Sequence, residues 1–158
     1  MPPLAVGDSL PSFQAPLGDG GTFDSSAHVG RRALVIFFYP KDDTPLCTQE
    51  ACGFRDAYEQ FVAAGAEVVG VSGDTAASHA AFARRHNLPF PIISDTGGRL
   101  RRLFGVPSLL GFLPGRVTYV IDREGIVRLV FNSSFSAAGH VRQALDLLVA
   151  EQRARGGA

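Results

Sequence analysis

A chain of 158 residues is long enough for one domain with a substantial core. Apolar residues make up 46% and charged residues 19%, the balance of an ordinary globular protein. Fifteen basic and fifteen acidic side chains cancel, so nothing in the net charge would attract nucleic acid or an anionic membrane surface.

The first residues, Met1-Pro-Pro-Leu-Ala-Val-Gly-Asp8, have neither a basic cap nor an apolar core, and no run approaches the length of a membrane span. A cytoplasmic protein is therefore expected. Residues 12–24 predict a short hairpin turning at Gly18-Asp-Gly-Gly21, and residues 25–32 a polar connection. Residues 33–39, Ala-Leu-Val-Ile-Phe-Phe-Tyr, form a continuous apolar run, as expected of a central strand covered on both faces.

That strand delivers the chain to a loop and then to a helical pattern. Thr44 is a good helix N-cap, and Pro45 follows at the first helical position, where its missing N–H costs nothing. Cys47 becomes the third helical residue, among free backbone N–H groups and at the positive end of the helix dipole. Both favour thiolate over thiol, so the geometry predicts a nucleophile. Cys47, Ala51, Phe54, Tyr58 and Phe61 recur at spacings of four and three, one face of an amphipathic helix. Cys47 is expected at the buried end of that face, and Cys52 off it, toward solvent.

Five residues along an intact helix separate two Cα atoms by roughly 8.6 Å, beyond the usual disulfide limit of about 7 Å. A Cys47–Cys52 bond therefore requires the first helical turns to unwind, which excludes a static staple and suggests a bond made and broken in a cycle. Spacing and capping alone still allow two ordinary core cysteines.

Farther along, residues 66–72 predict a second buried strand, 75–86 a helix, 91–94 a short strand and 97–104 a short helix. Residues 116–122 and 126–131 predict two strands joined at Arg123-Glu-Gly125, and residues 136–153 a closing helix with Val141, Leu145, Leu148 and Gln152 at helical spacing. Alternating strands and helices, then a hairpin and a terminal helix, predict an α/β sandwich with a mixed sheet.

Pro40-x-x-x-Thr44-x-x-Cys47 resembles the active-site signature of the peroxiredoxins. With Glu50, Cys52 and Phe54-Arg-Asp56, the longer string resembles the peroxiredoxin Q (bacterioferritin comigratory protein) branch. The similarity extends from about Val6 to about Leu148 and includes Gly105-Val-Pro107 and Pro114-Gly-Arg-Val-Thr-Tyr-Val-Ile-Asp122. Leu46 stands where many members carry glycine. The resemblance implies a thioredoxin fold with an N-terminal hairpin extension, a mixed central sheet flanked by helices, in one domain spanning residues 1–158. It also implies a thiol-dependent peroxidase, monomeric, re-reduced by thioredoxin or a similar dithiol and needing no cofactor.

Residue roles follow from the same likeness. Cys47 is the peroxidatic cysteine, attacking hydrogen peroxide or an organic hydroperoxide to give a sulfenic acid, and Cys52 is the resolving cysteine that condenses with it. Thr44 both caps the helix and aims its hydroxyl at the sulfur or peroxide, and Pro40 shields the pocket from water. Arg116 reads by spacing alone as a solvated arginine, but matches the family's active-site arginine, which stabilises the thiolate and the departing oxygen. Glu50 either orients Arg116 through a bidentate pair or lies on the surface.

Within residues 105–115 only Ser108 carries a polar side chain. Leu110 and Phe112 there form either an apolar collar that binds organic hydroperoxides or a loop packed on the core. Arg99, Arg101 and Arg102 read as a solvated helix face. The four histidines lack metal-ligand spacing, and no metal site is expected. Two other functions fit less well: a thiol–disulfide oxidoreductase, for which the Cys-x-x-Cys site is missing, and a non-enzymatic redox sensor using the same cysteine pair.

Overall fold

The structure, a computed structural model, describes residues 3–109, 113–133 and 136–155. Its centre is the strand Ala33–Phe38 (β3), buried at all six positions. Because side chains alternate along a strand, Val35, Phe37 and the following Tyr39 enter one core, and Leu34, Ile36 and Phe38 the other. Burial on both faces is why this segment reads as an unbroken apolar run.

Two strands precede it, Gln14–Pro16 (β1) and Thr22–Asp24 (β2), which pair as the predicted antiparallel hairpin. After β3 come the helices Pro45–Asp56 (α1) and Tyr58–Ala63 (α2), the strand Ala66–Ser72 (β4) and the helix Ala76–His86 (α3). Next are the strand Ile92–Ser94 (β5), the helix Arg99–Phe104 (α4) and two short strands, Ser108–Leu109 (β6) and Leu113–Pro114 (β7). The strands Val117–Ile121 (β8) and Val127–Asn132 (β9) and the helix Ala137–Ala154 (α5) complete the order.

The main sheet runs β5-β4-β3-β8-β9. β3, β4 and β5 are parallel neighbours, joined by helical crossovers, whereas β8 and β9 run antiparallel. Phe54 of α1, Phe61 of α2, Phe82 of α3, and Ala144 and Leu148 of α5 fill the core on one face. Phe13, Phe23, Leu100 and Phe104, from the hairpin and α4, fill the other. No helix among the described residues is long and apolar enough to cross a membrane.

Three details differ from expectation. The helical stripe that begins at Cys47 is broken at Ala57, whose φ of -96° and ψ of 2° end α1 before α2 starts. The segment around residue 110, expected as a loop, contains the two-residue ladder β6–β7. The buried line of α5 runs through Ala137, His140, Ala144 and Leu148, and Gln152 lies outside, donating to the Ala63 carbonyl at 3.0 Å. A histidine thus occupies a core position that the apolar pattern skipped.

The chain re-enters the sheet at β8 through a tight passage. A Cβ added to Gly115 would lie 2.3 Å from the Pro107 carbonyl oxygen, a clash with backbone. Gly97, with no neighbour within 4 Å of a built Cβ, has no such constraint. Gly115→Ala should therefore lose about 1–3 kcal/mol of stability by thermal melting, as overpacked sites do. Gly97→Ala should be close to neutral, and equal melting temperatures for the two variants would show that the passage yields without cost.

Candidate active site

The loop from Pro40 to Thr44 leaves the end of β3 and enters α1, and two aspartates pin it. Asp42 is buried and accepts from the Tyr39 hydroxyl at 2.6 Å, the Ser78 hydroxyl at 2.8 Å and Nδ1 of His79 at 2.7 Å. Its own backbone N–H donates to Asp74 Oδ2 at 2.7 Å, and the Ser72 hydroxyl donates to the same oxygen at 2.7 Å. Burial, with Asp42 beside it, holds the Tyr39 hydroxyl well above its usual range, so it remains a donor. Asp43 turns the chain with a φ of 61°, a left-handed conformation that aspartate tolerates better than most residues. It pairs with Arg85 and lies 3.5 Å from His86 Nε2. Asp42, Asp74 and His79 have ligand atoms close enough to hold a metal, but their hydrogen bonds serve to anchor the loop.

Beyond the loop, Cys47 is the third residue of α1 and only 1% exposed. Arg116 comes from the turn before β8 and meets it. β8 pairs with β3 in a register that sets Val117 opposite Phe38, so the start of one strand adjoins the end of the other. The Arg116 Nη2 donates to Cys47 Sγ at 3.2 Å, and its Nη1 donates to Glu50 Oε1 at 2.5 Å. Arg116 is 4% exposed and Glu50 fully buried. Glu50 therefore does not lie on the surface: one helical turn carries it inward behind Cys47, against Arg116. The contact uses one carboxylate oxygen rather than two, since the guanidinium's other end is given to the sulfur.

Thr44 is the N-cap by backbone but makes no side-chain cap bond; its hydroxyl donates to the Lys41 carbonyl at 3.0 Å. The left-handed turn at Asp43 brings that carbonyl within reach, so the hydroxyl closes the loop instead of capping the helix. Pro40 is half-buried directly after Tyr39, and Leu46 is half-buried beside Cys47. Cys52 is half-buried on the same uninterrupted helix, and both cysteines are free thiols. Leu110 and Phe112 lie outside the described residues. A cleft of about 490 Å³ between the β1–β2 turn, α3 and β5 contains none of the expected site residues.

Sequence reasoning missed two neighbours. His140 of α5 is fully buried; its Nε2 faces the Ser133 carbonyl at 2.7 Å and therefore carries the proton. The Thr118 hydroxyl meets its Nδ1 at 2.7 Å, and Glu50 Oε2, which has no hydrogen-bond partner among the described residues, lies 3.5 Å from that nitrogen. A polar residue on the otherwise apolar line of α5 was the available signal. Arg101, expected on a solvated helix face, instead points inward, donating to the carbonyls of Tyr39 at 2.8 Å and Gly115 at 3.3 Å. Arg102 does lie exposed, bonded to the Gly97 carbonyl at 2.8 Å, and Arg99 reaches the Gln14 carbonyl.

Burial pushes Glu50 up to about 7, against the opposing attraction of Arg116. Burial drives His140 down to about 4, with Arg116 adding to the effect and the Ser133 carbonyl resisting it. An acid raised in the folded state contributes stability that is complete below its unfolded value and lost as pH rises through its folded value. From its ordinary 4.5 to about 7, the protein should accordingly lose stability relative to Glu50→Gln. Urea unfolding at successive pH values should show a relative loss of about 3 kcal/mol. A constant difference over that range would mean that Glu50 is ionised throughout.

The AhpC/TSA family model matches residues 6–130. A chloroplastic peroxiredoxin Q from Populus jackii is 49% identical over 143 residues, covering 90% of this chain and 67% of that protein. The crystal structure of peroxidoxin BcpB from Mycobacterium tuberculosis superposes with a TM-score of 0.86 at 37% identity, covering 93% of this chain and 97% of the other. The bacterioferritin comigratory protein of Xanthomonas campestris, solved in trapped intermediate and ligand complexes bearing on alkyl peroxide reduction, gives 0.82 at 32% identity, over 91% and 99% of the two chains. The plant relatives are chloroplastic, which overturns the cytoplasmic location expected from the sequence. The chemistry asks only for a dithiol donor in the same compartment, so composition carried no address. Agreement of this extent, in sequence and fold together, means that the chain belongs to the AhpC/TSA family, within its peroxiredoxin Q branch, as a thiol-dependent peroxidase that acts on hydroperoxides and is re-reduced by a thioredoxin-type dithiol.

Proposed function

We propose that Cys47 is the peroxidatic cysteine and Cys52 the resolving one. The observation that carries this reading is the Arg116 guanidinium, 3.2 Å from Cys47 Sγ and oriented by Glu50 in a site closed to water. As thiolate, Cys47 attacks one oxygen of ROOH; the S–O bond forms as the O–O bond breaks, leaving a sulfenic acid, and the departing alkoxide takes a proton to become ROH. Arg116 offsets negative charge on sulfur and on the departing oxygen, where a fixed donor in a dry site has most effect. The Thr44 hydroxyl, its hydrogen committed to Lys41, keeps lone pairs that accept from the peroxide O–H. Pro40, with no N–H to offer, serves as a wall against bulk water.

Cys52 then attacks the sulfenic sulfur; the S–S bond forms and water leaves. Both residues lie on unbroken α1, where roughly 8.6 Å separates their Cα atoms, so the first turns must unwind for the bond to close. Thioredoxin is the donor proposed to restore both thiols. Because one helix of one chain carries both cysteines, the cycle needs no second subunit, and a monomer in which residues 1–158 act as one domain suffices. Hydrogen peroxide and organic hydroperoxides are both proposed substrates, the latter supported by the work on the Xanthomonas campestris relative.

Cys47→Ser should abolish peroxide reduction. Cys52→Ser should complete one rapid turnover to a trappable sulfenic acid and then stall with thioredoxin. Mass spectrometry placing the sulfenic acid on Cys52 in the native protein would reverse the assignment. Catalytic consumption of peroxide, rather than a single oxidation, separates the enzyme from a redox sensor.

Arg116→Met should slow sulfenic acid formation by about a hundredfold, as loss of one such donor costs roughly 3 kcal/mol in other active sites. Stopped-flow measurement of an unchanged second-order rate constant would remove Arg116 from the chemistry.

A further inference from the structure

The two segments that build the peroxidatic centre meet at an unfinished end of the sheet. The β3–β8 ladder stops with Phe38 opposite Val117. Extended by two residues, the same register sets Pro40 opposite Gly115, and Pro40 has no N–H to offer. The Gly115 carbonyl thus receives no N–H from Pro40, while Tyr39 faces the other neighbour, its N–H making the last bond to β4 at the Val71 carbonyl, 3.0 Å away. Both carbonyls lie at the rim of the core, and buried carbonyls need donors. Arg101 supplies both, giving Nη2 to the Tyr39 carbonyl at 2.8 Å and Nη1 to the Gly115 carbonyl at 3.3 Å.

The side chain that does this is itself held. Its guanidinium carbon sits 5.7 Å from the Phe38 ring centroid, a distance at which the ring face attracts a cation. Its backbone N–H donates to Asp95 Oδ2 at 3.1 Å, and its carbonyl accepts from the Val106 N–H at 2.9 Å. Only a planar fork spans two carbonyls in this way; an ammonium is a single point on a flexible stem.

We propose that Arg101 is a positioning residue, clamping the carbonyls that precede Pro40 and Arg116 so that the Arg116 guanidinium is held against Cys47. The inference rests on the reading of Cys47 and Arg116 given above. It assigns Arg101 no contact with peroxide; its effect passes through the spacing of the two active-site segments, and displacements of about an ångström at a reacting centre are costly.

Three single variants test it: Arg101→Met, Arg101→Lys and, as a surface comparison, Arg102→Met. Arg101→Met should lower the second-order rate constant for Cys47 oxidation by about tenfold or more. The pH midpoint of Cys47 alkylation by iodoacetamide should rise by about half a unit as Arg116 moves off the sulfur. Arg101→Lys, which keeps charge but not the fork, should recover little of either, and Arg102→Met should match the parent protein. In an Arg116→Met background, Arg101→Met should add less than about twofold, because both act through the same charge.

Full recovery in Arg101→Lys would make charge rather than the clamp the operative feature and overturn the proposal. So would an undiminished tenfold loss in the Arg116→Met background, or a fall in melting temperature with the rate and alkylation midpoint unchanged. Arg116→Met measured alone keeps the two levels apart. No effect there defeats the underlying reading; an effect there with none from Arg101→Met defeats only this one.

Discussion

A single buried guanidinium divides its attraction between two groups that can each carry negative charge. Arg116 lies against Glu50 at 2.5 Å on one side and the Cys47 sulfur at 3.2 Å on the other, with all three nearly inaccessible to water. Burying one cation in such a place is costly unless charge and hydrogen bonds compensate it. Glu50 supplies that compensation in the resting site, and a thiolate at Cys47 would supply more. The desolvation that raises Glu50 to about 7 shows that the carboxylate gains less from Arg116 than it loses by leaving water. Any negative charge Glu50 gives up leaves more of the guanidinium's field for the sulfur.

His140 completes the environment without adding charge. Donating Nε2–H to Ser133 and facing Thr118 with Nδ1, it remains neutral beside the arginine, which a protonated imidazole would repel. Its position on α5 means that the last helix of the chain forms part of the wall behind Glu50. A site assembled from α1, the start of β8 and α5 exists only when the whole sheet is in place.

The loop before α1 is held as firmly as the charge cluster. Asp42 fixes it to Tyr39, Ser78 and His79, and Asp43 fixes it to the last turn of α3. With that side anchored, a movement bringing Cys47 toward Cys52, as the proposed cycle requires, would fall on the first turns of α1. Those turns start with a proline that gives no N–H and a threonine whose side chain makes no cap bond, so few hydrogen bonds hold them. The anchored loop and the sparsely bonded helix end are adjacent, a fixed pocket floor next to the segment that the proposed cycle would unwind.

Local sequence determined a great deal: the hairpin at residues 12–24, the doubly buried β3, the proline-led start of α1 and the third-position placement of Cys47. These follow from periodicity, capping and turn chemistry, which act over a few residues and leave a mark in the pattern itself. The motif Pro40-x-x-x-Thr44-x-x-Cys47 named the family because it is short and contiguous. Tertiary structure alone decided that Glu50 is buried and gives one oxygen to Arg116, that Thr44 bonds to Lys41 instead of capping, that His140 closes the site, and that Arg101 faces inward. The Thr44 bond depends on the left-handed turn at Asp43, held by its pairing with Arg85, and the other outcomes depend on which strand lies beside β3. The pairing of β8 with β3 joins residues about half the chain apart, and no local pattern records a neighbour brought in from that distance.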